Sequence, residues 1–166
     1  MTANAALRNV QFLVGKWGGY GTGIYPTIKT FQYREEIEIT ASPSKPVLAY
    51  RQSTYSVNDG SPMHSESGFF RCPGGGTKVE CIISHPNGMA EIEQGEVKGQ
   101  TITLTSTSIQ RTSSAAPPFA TGIQRIFTLR ADGVLHYTVD MSTSTQPLQR
   151  HLEAELRKIE SHAANL

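Results

Sequence analysis

Hydrophobic and polar residues alternate with a period of two along much of this chain. In the segment VLHYTVDM, the residues Leu135, Tyr137, Val139 and Met141 share one face, and polar residues occupy the other. The segments KVECIISH and QTITLTSTSI alternate in the same way, and the first places His85 on its apolar face. Because successive side chains of a strand point to opposite faces, this pattern predicts strands with one buried face.

Short turn signals separate these alternating segments. They are NDG at 58–60, CPGGG at 72–76, PNG at 86–88, KGQ at 98–100 and ADG at 131–133. Glycine after asparagine or aspartate favours tight hairpins, because glycine adopts positive φ without steric cost. We therefore predict ten antiparallel strands, at residues 17–25, 28–40, 46–57, 62–71, 77–85, 89–96, 100–109, 120–130, 134–142 and 147–158.

Ten strands joined by hairpins favour an all-β fold, a ten-stranded antiparallel up-and-down β-barrel, since closure removes exposed strand edges. A barrel of this size can enclose a small molecule. We predict one short N-terminal helix that plugs an end of the barrel with Leu7, Val10, Phe12 and Leu13, and Trp17 packed beside it. The loop RTSSAAPPFATG at 111–122 is the longest irregular connection.

Composition narrows the class of protein. A chain of 166 residues with 17% charged residues and a net charge of +1 predicts one domain over 1–166 and argues against nucleic-acid binding. The absence of a signal-peptide pattern or a long apolar stretch predicts a cytoplasmic protein with no membrane segment. We expect Cys72 at a turn and Cys81 on an inward face, both as reduced thiols.

Several local patterns resemble catalytic motifs but lack the required context. The segment GKWGGYGTGIYPT leads into a strand rather than a helix, so we interpret its glycines as bends in the first strand and not as a phosphate loop. Glu35 and Glu36 are adjacent and would point to opposite faces of a strand, which favours a solvated or edge role. The H-x-E at 64–66 lacks the P-C-x-x-C of zinc deaminases. The histidines show no H-x-x-x-H spacing, which argues against a zinc site built from a local motif.

A series of longer motifs carries a resemblance to one family. Gly15-x-Trp17-x-Gly19-x-Gly21 is followed in order by GIYPTIKTFQYREEIEI, KPVLAYRQSTY, PMHSESGFFR, VECIISHPNGMAEIEQGEV, RIFTLRADGVLHYTVDM and QPLQRHLEAEL. This string, over residues 8–158, closely resembles the nitrobindin family of ten-stranded heme-binding barrels, also described as peroxynitrite isomerases. The resemblance also makes LQRHLEAELRKIE the closing strand, although its composition alone favours a helix.

The resemblance implies a cofactor and its site. His151 in the PLQRHL motif matches the proximal ligand of one non-covalent, ferric heme b per chain. The remaining matched positions around the pocket are Thr27, Met63, His64, His85 and Met141. The segment MSTSTQP is more polar than the family pattern, whereas His136 and His162 match no functional position and are expected to be solvated.

The same resemblance implies the isomerisation of peroxynitrite to nitrate at the heme iron, reversible binding of nitric oxide, and protection of tyrosine from nitration. No catalytic side chain is assigned. The alternative is a carrier that binds a fatty acid or another small hydrophobic ligand, with Arg125 projecting inward to hold a carboxylate. The oligomeric state stays open, with a homodimer as one alternative.

Overall fold

Ten antiparallel strands close into a single barrel in the computed structural model, which describes residues 4–159. Each strand pairs with its neighbours in sequence, and β10 pairs with β1 to complete the barrel. This confirms the predicted up-and-down topology. The strands are β1 (Gly15–Tyr25), β2 (Ile28–Ala41), β3 (Val47–Ser56), β4 (Pro62–Arg71), β5 (Lys78–His85), β6 (Met89–Lys98), β7 (Thr101–Arg111), β8 (Ala120–Leu129), β9 (Leu135–Thr143) and β10 (Gln149–Lys158).

Alternation places one side of every strand in the barrel interior. On β9, for example, Leu135, Tyr137 and Val139 are buried, as the period-two pattern predicted. The closing strand β10 buries Ala154 and Leu156 in the same way. Pairing with both β9 and β1 satisfies the backbone of β10, so tertiary context overrides its helix-forming composition.

The N-terminal segment forms two 3₁₀ turns, Ala5–Leu7 and Gln11–Leu13, instead of the one helix that we predicted. Its apolar residues still seal one end of the barrel, because Leu7, Val10 and Leu13 are fully buried and Phe12 packs beside them. Trp17 lies under these turns, and its indole Nε1 donates a 2.8 Å hydrogen bond to the carbonyl oxygen of Leu13. We call this end of the barrel the plugged end.

The opposite end of the barrel, which we call the rim, holds the loops at 26–27, 57–61, 86–88, 112–119 and 144–148. In an up-and-down barrel, alternate hairpins lie at the same end, so these five connections are neighbours in space. All six sequence-predicted site residues lie at or within three residues of a rim loop. The topology therefore brings together residues that are far apart in sequence.

Both cysteines are buried, unpaired thiols, as predicted. Cys81 lies on the inward face of β5, and Cys72 follows β4 at the turn into β5. Burial raises the pKa of each thiol, which keeps it protonated. Within residues 4–159, no helix is long and apolar enough to cross a membrane.

Candidate functional site

A β-bulge sets the orientation of His151. On β10, Arg150 pairs with Asp140 and Leu152 pairs with Val139, so His151 is the extra residue between two consecutive positions of β9. Strict alternation from the buried Ala154 would place His151 on the outer face of the strand. The bulge breaks this alternation, and bulges commonly redirect a side chain next to a functional site.

The redirected imidazole ring is held from two sides. Nδ1 of His151 lies 3.1 Å from the carbonyl oxygen of Ile24, and the ring meets the buried ring of Tyr25 edge to face, with 5.3 Å between the centroids. Because a carbonyl oxygen only accepts, Nδ1 carries the proton and Nε2 presents a lone pair. Within residues 4–159, Nε2 of His151 has no hydrogen-bond partner.

The environment also keeps His151 neutral. Burial is the main cause that lowers its pKa, and the charge of His64 acts in the same direction, while the bond to Ile24 opposes both. A neutral imidazole with one free, oriented nitrogen is the form that binds a metal ion. Tyr25, whose hydroxyl donates a 3.1 Å hydrogen bond to the carbonyl oxygen of Met141, ties this arrangement to β9.

Large apolar side chains surround the rim and are exposed. They belong to β1, β2, β4 and the loops between strands, and each has at least 41% of its surface accessible. Exposed apolar side chains gathered at one end of a barrel favour a binding site for a hydrophobic ligand. The group consists of Ile24, Ile28, Val57, Met63 and Leu148.

The remaining predicted site residues occupy different depths at this end. Thr27 lies in the exposed turn between β1 and β2, and Met63 is 47% exposed, on the outward-facing positions of β4. Met141 is half-buried and packs against the core. His64 and His85 point inward, and their rings lie 5.3 Å apart between centroids. His151, Thr27 and Met63 therefore lie at the surface of the rim, whereas His85 lies inside it. The assignment of these residues to a cofactor stays a prediction.

Below the rim, one arginine holds three carboxylates inside the barrel. The guanidinium of Arg125 contacts Glu66 at 2.8 Å, Glu91 at 3.2 Å and Glu93 at 3.1 Å. Burial raises the pKa of Glu66, but Arg125 and the two histidines outweigh it and hold that pKa well below its usual range. Burial raises the pKa of Glu93 to about 7, against the opposing charge of Arg125. Alternation predicted the inward position of Arg125, but its three partners were not predicted.

Glu35 is a second buried carboxylate, contrary to our prediction of a solvated or edge position. It is fully buried, whereas Glu36 is exposed and pairs with Arg34, so the opposite faces were predicted correctly and the solvated role of Glu35 was wrong. Tyr137 donates a 2.7 Å hydrogen bond to Glu35, and Gln52 donates another. These bonds satisfy a carboxyl group that strand alternation forces inside. Burial raises the pKa of Glu35 to about 7, although both hydrogen bonds lower it.

The remaining histidines lie away from the rim interior. His136 is on the outer face of β9, where its Nε2 lies 2.8 Å from a carboxylate oxygen of Glu153. Its outward position agrees with the expectation that it faces water, although only 19% of its side chain is exposed. His162 lies outside the described residues.

Residues 6–158 match the family model described as THAP4-like, heme-binding beta-barrel domain. The chain belongs to this family. It is 43% identical over 152 residues to the Arabidopsis thaliana protein named peroxynitrite isomerase Rv2717c, which covers 90% of this chain and 87% of the relative. It is 42% identical over 150 residues to peroxynitrite isomerase 1 of Mycolicibacterium paratuberculosis, with 88% of this chain and 90% of that protein covered.

Two further comparisons show which part of each relative this chain matches. The human protein named peroxynitrite isomerase THAP4 is 35% identical over 158 residues, which are 94% of this chain but 27% of the human protein. The crystal structure of Rv2717c from M. tuberculosis superposes with a TM-score of 0.86 at 36% identity and covers 96% of this chain and 100% of that chain. The heme-binding barrel is therefore the part that these proteins share.

Proposed function

We propose that this chain binds one non-covalent heme b through His151 and isomerises peroxynitrite to nitrate. The observation that carries this proposal is the state of His151, a neutral imidazole whose Nδ1 is bonded to the backbone and whose Nε2 is free. The names of the relatives, all at 35–43% identity, support the same reaction.

The residues at the rim fit a heme. Nε2 of His151 would bind the iron, and the bond from Nδ1 to Ile24 would fix the plane of the imidazole. The apolar rim residues would cover the porphyrin faces and exclude water. Thr27, Met63 and Met141 are proposed to contact the cofactor, and His64 and His85 to lie beside it. Bound in this way, heme supplies an iron with one open coordination position that acts as a Lewis acid.

The reaction makes few demands on the protein. Peroxynitrite and nitrate contain the same atoms and carry the same charge, so isomerisation consumes no second substrate and releases no proton. The protein therefore needs to hold the cofactor, leave one face open and keep bulk water out. We include reversible nitric oxide binding at the same open position and protection of tyrosine from nitration in this proposal.

The carrier alternative fits the interior less well. A fatty-acid carboxylate would need Arg125, but each nitrogen of that buried guanidinium already faces a carboxylate of Glu66, Glu91 or Glu93. A fourth carboxylate would meet like charges and would have to displace one of the three partners. The buried arginine is thus a structural ion-pair centre rather than an anion site.

The experiment is rapid mixing of peroxynitrite with the heme-loaded protein, followed by nitrate and nitrotyrosine analysis. We expect faster decay, a higher yield of nitrate and less nitration of added tyrosine than with an equal concentration of free heme. His136→Ala, which changes a histidine on the outer face of the barrel, should behave like wild type. Decay no faster than with free heme would overturn the proposed activity.

A further inference from the structure

Three side chains below the rim, none of them His151, converge on one point. His64 and Glu66 occupy alternate, inward-facing positions of β4, and His85 ends the neighbouring strand β5. Nε2 of His64 lies 3.1 Å from Nδ1 of His85, and Oε2 of Glu66 lies 3.6 Å and 3.4 Å from these two nitrogens. The three atoms form a triangle with edges between 3.1 and 3.6 Å.

The size of this triangle matches a metal-binding site. In a tetrahedral site with metal–ligand bonds of about 2.0–2.1 Å, neighbouring ligand atoms are about 3.3–3.4 Å apart. A hydrogen bond between His64 and His85 would explain the shortest edge by itself. It does not explain why the carboxylate oxygen of Glu66 lies almost equally close to both nitrogens.

Other contacts direct these ligand atoms inward. Nε2 of His85 lies 3.0 Å from a carboxylate oxygen of Glu91, which leaves Nδ1 as the nitrogen that faces the triangle. Oε1 of Glu66 accepts hydrogen bonds from Arg125 at 2.8 Å and Tyr50 at 2.7 Å, so Oε2 stays directed at the histidines. A carboxylate behind a histidine and donors behind a carboxylate are the outer contacts that orient metal ligands.

The charge of this buried cluster and its access to solvent also favour a bound cation. Glu66, Glu91 and Glu93 face a single guanidinium, so this buried cluster is formally short of positive charge. Oε2 of Glu91 is buried and has no hydrogen-bond partner among the described residues. His64 has 40% of its side chain exposed at the rim, so water can reach this cluster as a fourth ligand.

We propose that His64, Glu66 and His85 bind one divalent transition-metal ion at a site separate from the heme iron. Two imidazoles and one carboxylate suit zinc and its first-row neighbours better than calcium or magnesium, which prefer oxygen ligands. Three protein ligands with an open position are typical of metal sites that bind a water or a substrate. This site requires neither His151 nor a bound heme.

Cobalt(II) is the probe, because its visible absorption reports coordination geometry and zinc then competes for the same ligands. Wild-type protein should take up one Co²⁺ per chain with the intense absorption of a tetrahedral ion, and Zn²⁺ should displace it. His64→Ala, at a half-exposed position, should lower the Co²⁺ affinity by about a hundredfold or more. His136→Ala should leave the affinity unchanged, since His136 faces Glu153 outside the barrel.

A measurement on unmutated protein keeps the test independent of folding. Adding Zn²⁺ should shift the ring-nitrogen NMR signals of His64 and His85 and leave those of His136 in place. His151→Ala should keep the cobalt site and lose heme, which separates this proposal from the heme proposal. No saturable binding of Co²⁺ by wild type, unchanged binding by His64→Ala, or zinc shifts confined to other histidines would each overturn the site.

Discussion

The protonation state of single buried residues follows from which backbone and side-chain groups each one meets. His151 is neutral with its proton on Nδ1, because it is partly desolvated and the carbonyl of Ile24 can only accept a hydrogen bond. Glu35 meets two donors but forms no ion pair among the described residues, so burial raises its pKa to about 7. Glu66 meets Arg125 and two histidines, and its pKa falls instead. Identical side chains thus serve different chemistry according to their neighbours.

The raised pKa of Glu35 predicts a pH-dependent stability. A carboxyl group whose folded pKa exceeds its unfolded value of 4.5 stabilises the fold fully below pH 4.5 and loses that contribution as the pH rises through about 7. Glu35→Gln keeps a neutral amide between Tyr137 and Gln52 and removes this loss. Between pH 5 and pH 8, the free energy of unfolding should therefore fall less in the variant, by on the order of 2 kcal/mol.

Urea denaturation of both proteins at the two pH values measures this difference. Glu93, whose pKa also rises to about 7, titrates in both proteins and cancels in the comparison. Glu36→Gln is the matched control, because this neighbouring carboxylate is exposed on the outer face, and it should retain the wild-type pH dependence. Parallel pH curves for wild type and Glu35→Gln would show that Glu35 is ionised throughout this range.

Sequence patterns predicted the face on which a residue lies better than the partners that it meets. Alternation correctly placed Arg125 and His85 inside and Glu35 opposite Glu36. It could not show that the charge of Arg125 is neutralised by residues of β4 and β6, since those contacts depend on barrel closure. The H-x-x-x-H spacing is that of helical zinc ligands, whereas on a strand residues two apart, such as His64 and Glu66, share a face.

At the scale of the element, strand β1 needs glycine at two positions where a side chain would collide with a neighbouring aromatic ring. An added Cβ at Gly21 would lie 2.3 Å from the ring of Tyr33, and one at Gly23 would lie 2.2 Å from the ring of Phe31. Each glycine faces its aromatic partner across the β1–β2 pair. The glycines that we interpreted as bends therefore also make room for two rings, a role that needs the register of β2 to be known.

Gly21→Ala should destabilise the protein. The new methyl group would push Tyr33 away and disturb the 2.8 Å hydrogen bond between the hydroxyls of Tyr33 and Tyr137. We expect a loss of about 1–3 kcal/mol in the free energy of unfolding, the usual cost of overpacking. Thermal or urea denaturation measures this loss. Gly76→Ala, at a glycine with open space around it and negative φ, should cost less than about 0.5 kcal/mol. Equal stabilities of the two variants would contradict the packing role of Gly21.

Neither the type of element formed by β10 nor the orientation of His151 on it could be predicted from local sequence patterns. Its helix-forming composition gave the wrong element, and the family resemblance gave the right one. Even a correct strand assignment would place His151 with the outward Glu153, because only the bulge opposite β9 redirects it. A single inserted residue in a strand has no signature in composition, so the orientation of His151 required the structure.

At the scale of the whole molecule, the two ends of the barrel have separate tasks. The plugged end holds Leu7, Val10, Leu13 and Trp17, which are almost wholly buried and carry no polar network. The rim holds His151, the exposed apolar residues and the neighbouring rings of His64 and His85. A packed end provides stability, whereas an end with exposed apolar groups provides a place for a ligand. This division predicts that stability and heme binding can be changed independently.

Leu13→Ala tests the separation from the plugged end. Deleting this fully buried side chain should lower the free energy of unfolding by about 2–5 kcal/mol, through lost burial and a residual cavity. Heme affinity, measured by titration well below the unfolding temperature, should stay at the wild-type value. Gln11→Ala changes an exposed residue two positions earlier and should alter neither quantity. A parallel loss of stability and heme affinity in Leu13→Ala would show that the two ends are coupled.

Heme titration of His151→Ala, followed by the Soret band, tests whether His151 is the residue that binds the heme iron. The variant should stay folded, because His151 is only half-buried, and it should lose most of its heme affinity. His64→Ala and His136→Ala, titrated beside it, should keep the wild-type Soret band, because neither residue is proposed as the iron ligand. Added imidazole should restore part of the wild-type spectrum to His151→Ala. An unchanged affinity and Soret band in His151→Ala would contradict the assignment of His151 as the iron ligand.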